Sequence, residues 1–468
     1  MASLKKLPAS KLALNKAIVN KTIVNKKASL LQQLQSFLAR IFSNQQLVNP
    51  KLVLAFSGGL DSCVLLHLLA QVKKTLPFQL TAQHIHHGLS PNADAWSLFC
   101  KDICDKLNIP LTITKVQIEN NGLGIEASAR LARYKVLLDA DADFICLAQH
   151  QDDQAETFLL QLARGAGVKG LAAMATENGK LLRPLLDGPR KALESYAKQH
   201  RLVWVEDESN IDTQFDRNFI RHEVLPILKK QYPSIQQTIS RSAKHMAEAN
   251  DLLHEIALQD IQTCTDGKKL NSPLNLHALQ LFSPARISNA LRWWLVQNAC
   301  SLPSTAQLQQ ITQQLFTAKT DAMVKIKVSD THSLQRYRNY AFLLAETEVV
   351  PAINELWQGE DVVTLPDGTS LKFSQQLGQG FAINRVPNIK LRIKNREGGE
   401  RFRPDLGRPS RSLKTVLQTA EIPPWQRAQL PLIFMDETLV IIPNVGVDVS
   451  FQAEPNELGL SVYWKQHE

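Results

Sequence analysis

The sequence predicts a doubly wound α/β domain, then a mainly helical middle domain, then a small α+β C-terminal domain. Three observations carry that expectation. From Lys51 the apolar runs KLVLAF, LTAQHIH and FICLAQH alternate with stretches long enough for helices, the pattern of parallel βαβ units. Long amphipathic stretches follow, around Thr238 to Ile261 and from Ala285 to Asn298. From about Pro351 short strands and turns take over, in LPDGTSLKF, IKLRIK and TLVIIPNVGVDVS.

At 468 residues the chain exceeds one compact core, and 44% hydrophobic with 21% charged residues is a globular composition. No apolar run approaches the roughly 18 to 20 residues of a membrane span, and no signal peptide is visible, so a soluble, cytoplasmic protein without a membrane partner is expected. The six cysteines, at 63, 100, 104, 146, 264 and 300, form no CxxC pair and read as reduced core residues.

The expected division is a basic low-complexity extension over 1–48, an α/β domain over 49–225, a helical middle domain over 226–350 and a C-terminal domain over 351–468. The net charge of +9 is concentrated in the first part. Residues 1–48 hold eight Lys or Arg and no acid, so the other 420 residues carry only +1. Its lysines recur every fifth position from Lys6 to Lys26, which on a helix spirals by about 500° per step and builds no basic face. Inside the middle domain MVKIKV and LQRYRNYAFLLAE alternate with period two, as a strand pair would. Trp293 and Trp294 lie on an amphipathic stretch where at least one belongs to the core.

A strand ending in Phe56, the turn Ser57-Gly58-Gly59-Leu60-Asp61-Ser62 and a helix beginning near Cys63 gather backbone N–H groups and two hydroxyls at a helix N-terminus, a ready anion site. The lysine of GxxxxGK[ST] is missing. Asp61 would repel phosphate there unless it binds Mg²⁺.

SGGLDS resembles the pyrophosphate loop of N-type ATP pyrophosphatases. HIHHGLSPNADAW, GIEASARLARY, AQHQDDQAETFLLQLARG, LLRPLL, VEDESNIDTQFDRNFIR and REGGERFRPDLG stand in the order found in tRNA(Ile)-lysidine synthases, and the resemblance spans Lys51 to about Phe451. It implies a PP-loop ATPase domain that uses ATP and Mg²⁺ to adenylate the C2 oxygen of the wobble cytidine of a tRNA(Ile) with a CAU anticodon. Free L-lysine then displaces AMP, and decoding changes from AUG to AUA. A homodimer is compatible with the sequence. The alternative within the loop class is a tRNA thiolase, which would need reactive or cluster-binding cysteines; Cys63, near the loop, faces into its helix.

On this resemblance Ser57 to Ser62 bind ATP, Asp61 holds Mg²⁺, and Asp61, Arg130, Arg133, His150 and Asp153 are catalytic. Asp153 orients lysine or the metal and His150 meets the nucleobase or α phosphate; read from the residues alone, Asp152 can cap the helix that follows, and capping accounts for one of the two acids. Arg217, Asn218 and Arg221, with Asp216, close over the site and contact the tRNA. Ten basic against three acidic residues from Arg385 to Lys414 mark a second RNA footprint, with Arg396, Arg401, Arg403, Arg408 and Arg411 on phosphates. His84, His86 and His87 read as a strand end near ATP rather than a metal site.

Overall fold

The computed structural model describes residues 28–88, 90–117, 124–265, 269, 272–318, 324–346, 352–385, 390–407 and 409–465. The repeat of lysines over Lys6 to Lys26 lies outside them, as does Arg408. The chain divides into two compact units, residues 1–254 and 255–468. Residues 226–254, expected in a middle domain, thus fall in the first unit.

The first unit opens on helix α1 (Leu30–Asn44), whose start is fixed by Ser29 and Gln32 in a reciprocal capping box. Leu34, Leu38, Ile41 and Phe42 recur at helical spacing and are buried in the same core as the sheet. The expected extension over 1–48 is corrected here. Its last third carries no acids, yet it is an amphipathic helix packed into the α/β core.

The sheet runs β3-β2-β1-β4-β6-β5, with β1 (Lys51–Ala55), β2 (Gln79–His86), β3 (Leu111–Lys115), β4 (Phe144–Cys146), β5 (Glu177–Asn178) and β6 (Leu181–Leu182). All pairs are parallel except β5 with β6, a short antiparallel edge. Helices α2 (Leu60–Val72), α3 (Ala93–Lys106), α4 (Ile125–Leu138), α5 (Gln151–Ala163) and α6 (Arg190–Gln199) make or follow the crossovers. α2 is buried almost all round, as befits a helix hydrophobic on every side. It starts three residues before Cys63, which puts Asp61 and Ser62 in its first turn rather than in the loop. Cys100 and Cys104 point from α3 into the core. After α6 come a helical segment in three pieces, Asp216–Phe219, a π turn Ile220–Val224 and Leu225–Gln231, and the 30-residue helix α7 (Ile235–Cys264).

In the second unit, α8 (Pro284–Gln297) buries both Trp293 and Trp294 beside α9 (Thr305–Thr317). The expected strand pair is part of a four-stranded antiparallel sheet containing Val324–Lys327, His332–Tyr337 and Tyr340–Ala345. LQRYRNYAFLLAE is not one strand because Arg338 turns left-handed, at φ 53°, and folds the run into a hairpin. The C-terminal part holds a five-stranded and a four-stranded sheet around one core from Ile353 to Trp464. Trp425 meets Tyr337 and Phe342 edge-on, and Arg338 pairs with Glu421, so the two cores of this unit share a seam. Among the described residues no helix is long and apolar enough to cross a membrane.

Leu38 is fully buried, so Leu38→Ala is expected to cost about 2–5 kcal/mol, the usual range for a core leucine. Urea denaturation should show a lower midpoint with an unchanged slope; a loss below about 1 kcal/mol would mean that α1 does not belong to the core.

Candidate active site

The strand order reverses between β1 and β4, where open α/β sheets form their ligand crevice beyond the strand carboxyl ends. Two helix N-termini face that crevice, α2 after β1 and α5 after β4.

After β1 the chain turns through Gly58 at φ 83°, a conformation that favours glycine. A Cβ there would also come within 2.9 Å of Cys100 Sγ and 3.1 Å of Val205 Cγ2. The turn is closed by its own hydroxyls. Ser62 Oγ donates to the Gly59 carbonyl at 2.9 Å, and Ser57 and Ser62 lie 3.1 Å apart through their hydroxyls. Asp61 is 29% exposed at the side chain, yet its Oδ1 is buried and has no hydrogen-bond partner among the described residues. Such an oxygen costs stability unless a cation or donor meets it. The donor set therefore fits a hard divalent ion at Asp61.

After β4, His150 caps α5. Its Nδ1 accepts the Asp152 N–H at 3.2 Å, and Asp153 Oδ2 accepts the His150 N–H at 2.9 Å. The capping expected of one of the two acids falls to Asp153 and not to Asp152. The cap is the histidine, and the acid that closes it is Asp153. Because Nδ1 is an acceptor, the ring proton sits on Nε2, 3.4 Å from Asp61 Oδ2 and 3.4 Å from Asp153 Oδ2. His150 thus joins the two helix N-termini. Burial opposes charge on its ring, but the Asp61 and Asp153 carboxylates outweigh burial and hold its pKa above the ordinary value.

Asp153 and Glu156 lie one turn apart on α5, and Glu156 is 1% exposed. Arg217 Nε donates to Glu156 Oε2 at 2.7 Å and Nη2 to Asp153 Oδ1 at 2.8 Å. Arg221 grips Glu156 with two bonds, at 2.6 and 2.9 Å, and reaches Asp153 at 3.5 Å. Burial pushes the Asp153 pKa up, but His150, the two arginines and a backbone N–H hold it below the usual carboxylate range. Arg217 and Arg221, expected to contact tRNA, thus engage the acids of α5. Asn218 donates instead to the main-chain carbonyls of Ser209 and Asp212, and Asp216 pairs with Arg164. Glu156 was not singled out from sequence. Its signal was there, acids at i and i+3 on one helix and arginines at i and i+4 on another, but the two are some 60 residues apart.

Beside this network lies a cavity of about 300 Å³, lined by Asp152, Glu156, Arg190, Arg221, Lys229 and Gln236, with His222 and the apolar Leu225 and Pro226. Asp152, sixth in sequence after Cys146, accepts from the Arg190 N–H and from Gln236. Both charge signs meet inside one small space.

The remaining expected residues lie at other distances from this centre. Arg130 stacks on the Tyr134 ring at 4.9 Å, and Arg133, also exposed, stands near enough to His87 to add to the effect of burial in lowering its pKa. His84 Nδ1 donates to the Phe56 carbonyl at 2.9 Å, and His86 meets Asp94 at 3.2 Å. All six cysteines are buried and none is joined in a disulfide, and burial pushes the Cys63 thiol up to about 12. In the C-terminal footprint Arg401 donates to the Ser410 carbonyl at 2.7 Å, Arg403 to that of Leu406 at 2.8 Å, and Arg396 lies 3.6 Å from Glu400. Arg411 forms a two-residue strand pair with Phe402.

Three family profiles match the chain in order: a PP-loop domain over residues 29–228, a TilS substrate binding domain over 274–342 and a TilS substrate C-terminal domain over 391–464. Similar curated proteins include the tRNA(Ile)-lysidine synthase of Nitrosomonas europaea, 42% identical over 425 residues that make up 88% of this chain and 92% of that one. That of Serratia proteamaculans is 38% identical, covering 93% of this chain and 99% of its own. That of Coxiella burnetii is 37% identical, covering 88% and 93%. The first profile begins at residue 29, the N-cap of α1.

Replacing Arg217 and Arg221 together by Met leaves Asp153 and Glu156 without their cations, and the loss of partners for buried charge costs about 3–5 kcal/mol. Adding Glu156→Gln should recover part of it. A double replacement that moves the denaturation free energy by less than about 1 kcal/mol would show that the network does not hold the fold.

Proposed function

The chain belongs to the tRNA(Ile)-lysidine synthase family, and we propose that it carries out that family's ligation on the wobble cytidine of a tRNA(Ile) with a CAU anticodon. In the first step the cytidine C2 oxygen attacks the α phosphorus of ATP; the bond to the β phosphate breaks and pyrophosphate leaves. In the second the ε-amine of free lysine attacks C2, the C2–O bond breaks with its electrons going to AMP, and the amine gives up a proton. The product, lysidine, reads AUA instead of AUG. Such a reaction belongs where tRNA and ATP meet, in the cytoplasm.

The single observation that supports this most is the orphaned Asp61 Oδ1 at the first turn of α2, beside the glycine turn and His150. The glycine turn and the helix N-terminus receive the phosphates. Mg²⁺ would be held by Asp61, and when bound it neutralises charge that grows on the departing phosphates. His150, its proton fixed on Nε2, is the donor nearest that carboxylate and stabilises negative charge at the α phosphate or the nucleobase oxygen. Asp153 acts through His150 and Arg217, whose positions it fixes. Arg130 and Arg133 are offered to the RNA or phosphates from the exposed face of α4.

Free lysine carries two ammonium groups and a carboxylate, and the cavity beside Glu156 offers partners of both signs: Asp152 and Glu156 for the amines, Arg190 and Lys229 for the carboxylate. Arg396, Arg401, Arg403, Arg408 and Arg411 contact tRNA phosphates. The thiolase alternative is the less supported, since every cysteine is buried and burial raises the pKa of both thiols beside the loop, Cys63 and Cys100.

With ATP, Mg²⁺, labelled lysine and a CAU-anticodon tRNA, lysine-dependent AMP release should accompany label in the RNA. Asp61→Ala should lower AMP formation by about 10²-fold or more while leaving tRNA affinity within about twofold. Pyrophosphate exchange without label transfer would exclude lysine as the amine, and lost tRNA binding in the variant would make the loop structural. Independently, Arg401→Ala with Arg411→Ala should weaken tRNA binding and flatten its logarithmic salt dependence by about 0.7–0.9 per lost phosphate contact; an unchanged slope removes these residues from the interface.

A further inference from the structure

The segment Val205–Asp212 has one 3₁₀ turn, Glu208–Ile211, and little other regular structure, yet it is tied down at four places. Val205 N–H donates to the Gly58 carbonyl at 3.0 Å, so the segment lies on the phosphate loop itself. Glu208 accepts from Ser90 Oγ at 2.5 Å and from Asn92 Nδ2 at 3.4 Å. Asn218 Nδ2 donates to the carbonyls of Ser209 and Asp212, both at 2.9 Å. His222 Nε2 donates to the Asn210 carbonyl at 2.8 Å.

The last two donors stand on the same helical segment as Arg217 and Arg221. One face of that segment holds Asp153 and Glu156 through its arginines, and another holds the main chain of Val205–Asp212 through Asn218 and His222. Asn218 is buried, and its side-chain amide donates to two backbone carbonyls of the strap. A strap with so little structure of its own takes its position from the groups that satisfy its carbonyls.

We propose that Asn218 is a positioning residue, seconded by His222, that converts displacement of Arg217 and Arg221 into displacement of the strap and of Gly58, so that amino-acid and nucleotide binding are coupled. The inference rests on the reading that lysine occupies the cavity bordered by Glu156 and Arg221. An ammonium group arriving at Glu156 competes with Arg221 for the same oxygens. A short helix moves as a body, so the shift reaches Asn218 and His222 within one turn, and through Val205 it reaches the loop. Coupling of two binding equilibria through one such element is reciprocal.

The experiment is equilibrium binding of ATP and of labelled lysine to the full chain with Mg²⁺ and without tRNA, so that no acceptor is present for adenylation. In the natural sequence a saturating level of either ligand should change the affinity for the other by about fivefold or more. In Asn218→Ala each ligand alone should bind within about twofold of that, while the coupling factor falls below about twofold. Glu208→Ala, an exposed change that frees the strap from Ser90 and Asn92, should lower the coupling in part and guards against a folding defect at Asn218. Undiminished coupling in both variants overturns the proposal, as does its absence in the natural sequence when both ligands bind. A protein that binds ATP but no lysine at all overturns the lysine reading and the coupling with it, and the labelled ligand tells that case apart.

Discussion

Two carboxylates, Asp153 and Glu156, are buried on one face of α5, and a buried charge must be matched in place. Much of the first unit is arranged around that requirement. The matching cations come from Arg217 and Arg221, which sets where the segment from Asp216 to Gln231 runs. The backbone N–H and imidazole of His150 complete the shell of Asp153, which sets where α5 starts. The imidazole in turn faces Asp61 on α2. A chain of charged contacts therefore runs from the arginines to the glycine turn without leaving the crevice between β1 and β4.

That arrangement suits chemistry in which the protein contributes little covalently. In the proposed reaction the nucleophiles are a nucleobase oxygen and an amine, and the leaving groups are pyrophosphate and AMP. The protein has to orient and to balance negative charge. A loop without lysine can serve this purpose if cationic charge arrives from a metal at Asp61 and from arginines elsewhere on the domain. Dividing the work in this way keeps the glycine turn small enough for Gly58 to pack against Cys100 and Val205.

Much of the fold was legible because strand, glycine turn and helix follow one another locally, and the apolar runs KLVLAF and FICLAQH fall on adjacent strands β1 and β4. Charge composition misled at α1. A stretch free of acids looked like a tail, whereas the spacing of Leu34, Leu38, Ile41 and Phe42 already described a buried helix face. At the site, the residue types of the phosphate turn and the His-x-Asp-Asp run were readable, but not who bonds to whom. Asp152 and Asp153 are equally good first-turn acids by sequence, and the choice between them is made by His150 acting as the cap. Glu156 escaped notice because a glutamate inside a helix is ordinarily solvated, and only partners about 60 residues away make it a buried anchor.

The π turn at Ile220–Val224 carries Arg221 and His222 and lies between Arg217 and the cavity residues Leu225, Pro226 and Lys229. A π turn holds one residue more than the α turn it replaces. Losing that residue would rotate everything after it by about 100°. Leu225 would leave its place beside Ala155 and Ile239, and Lys229 would turn away from Asp152. The segment is consequently as sensitive to its length as to its side chains: a one-codon deletion after the π turn would leave Arg217 on Asp153 and Glu156 but swing Leu225 and Lys229 off the cavity.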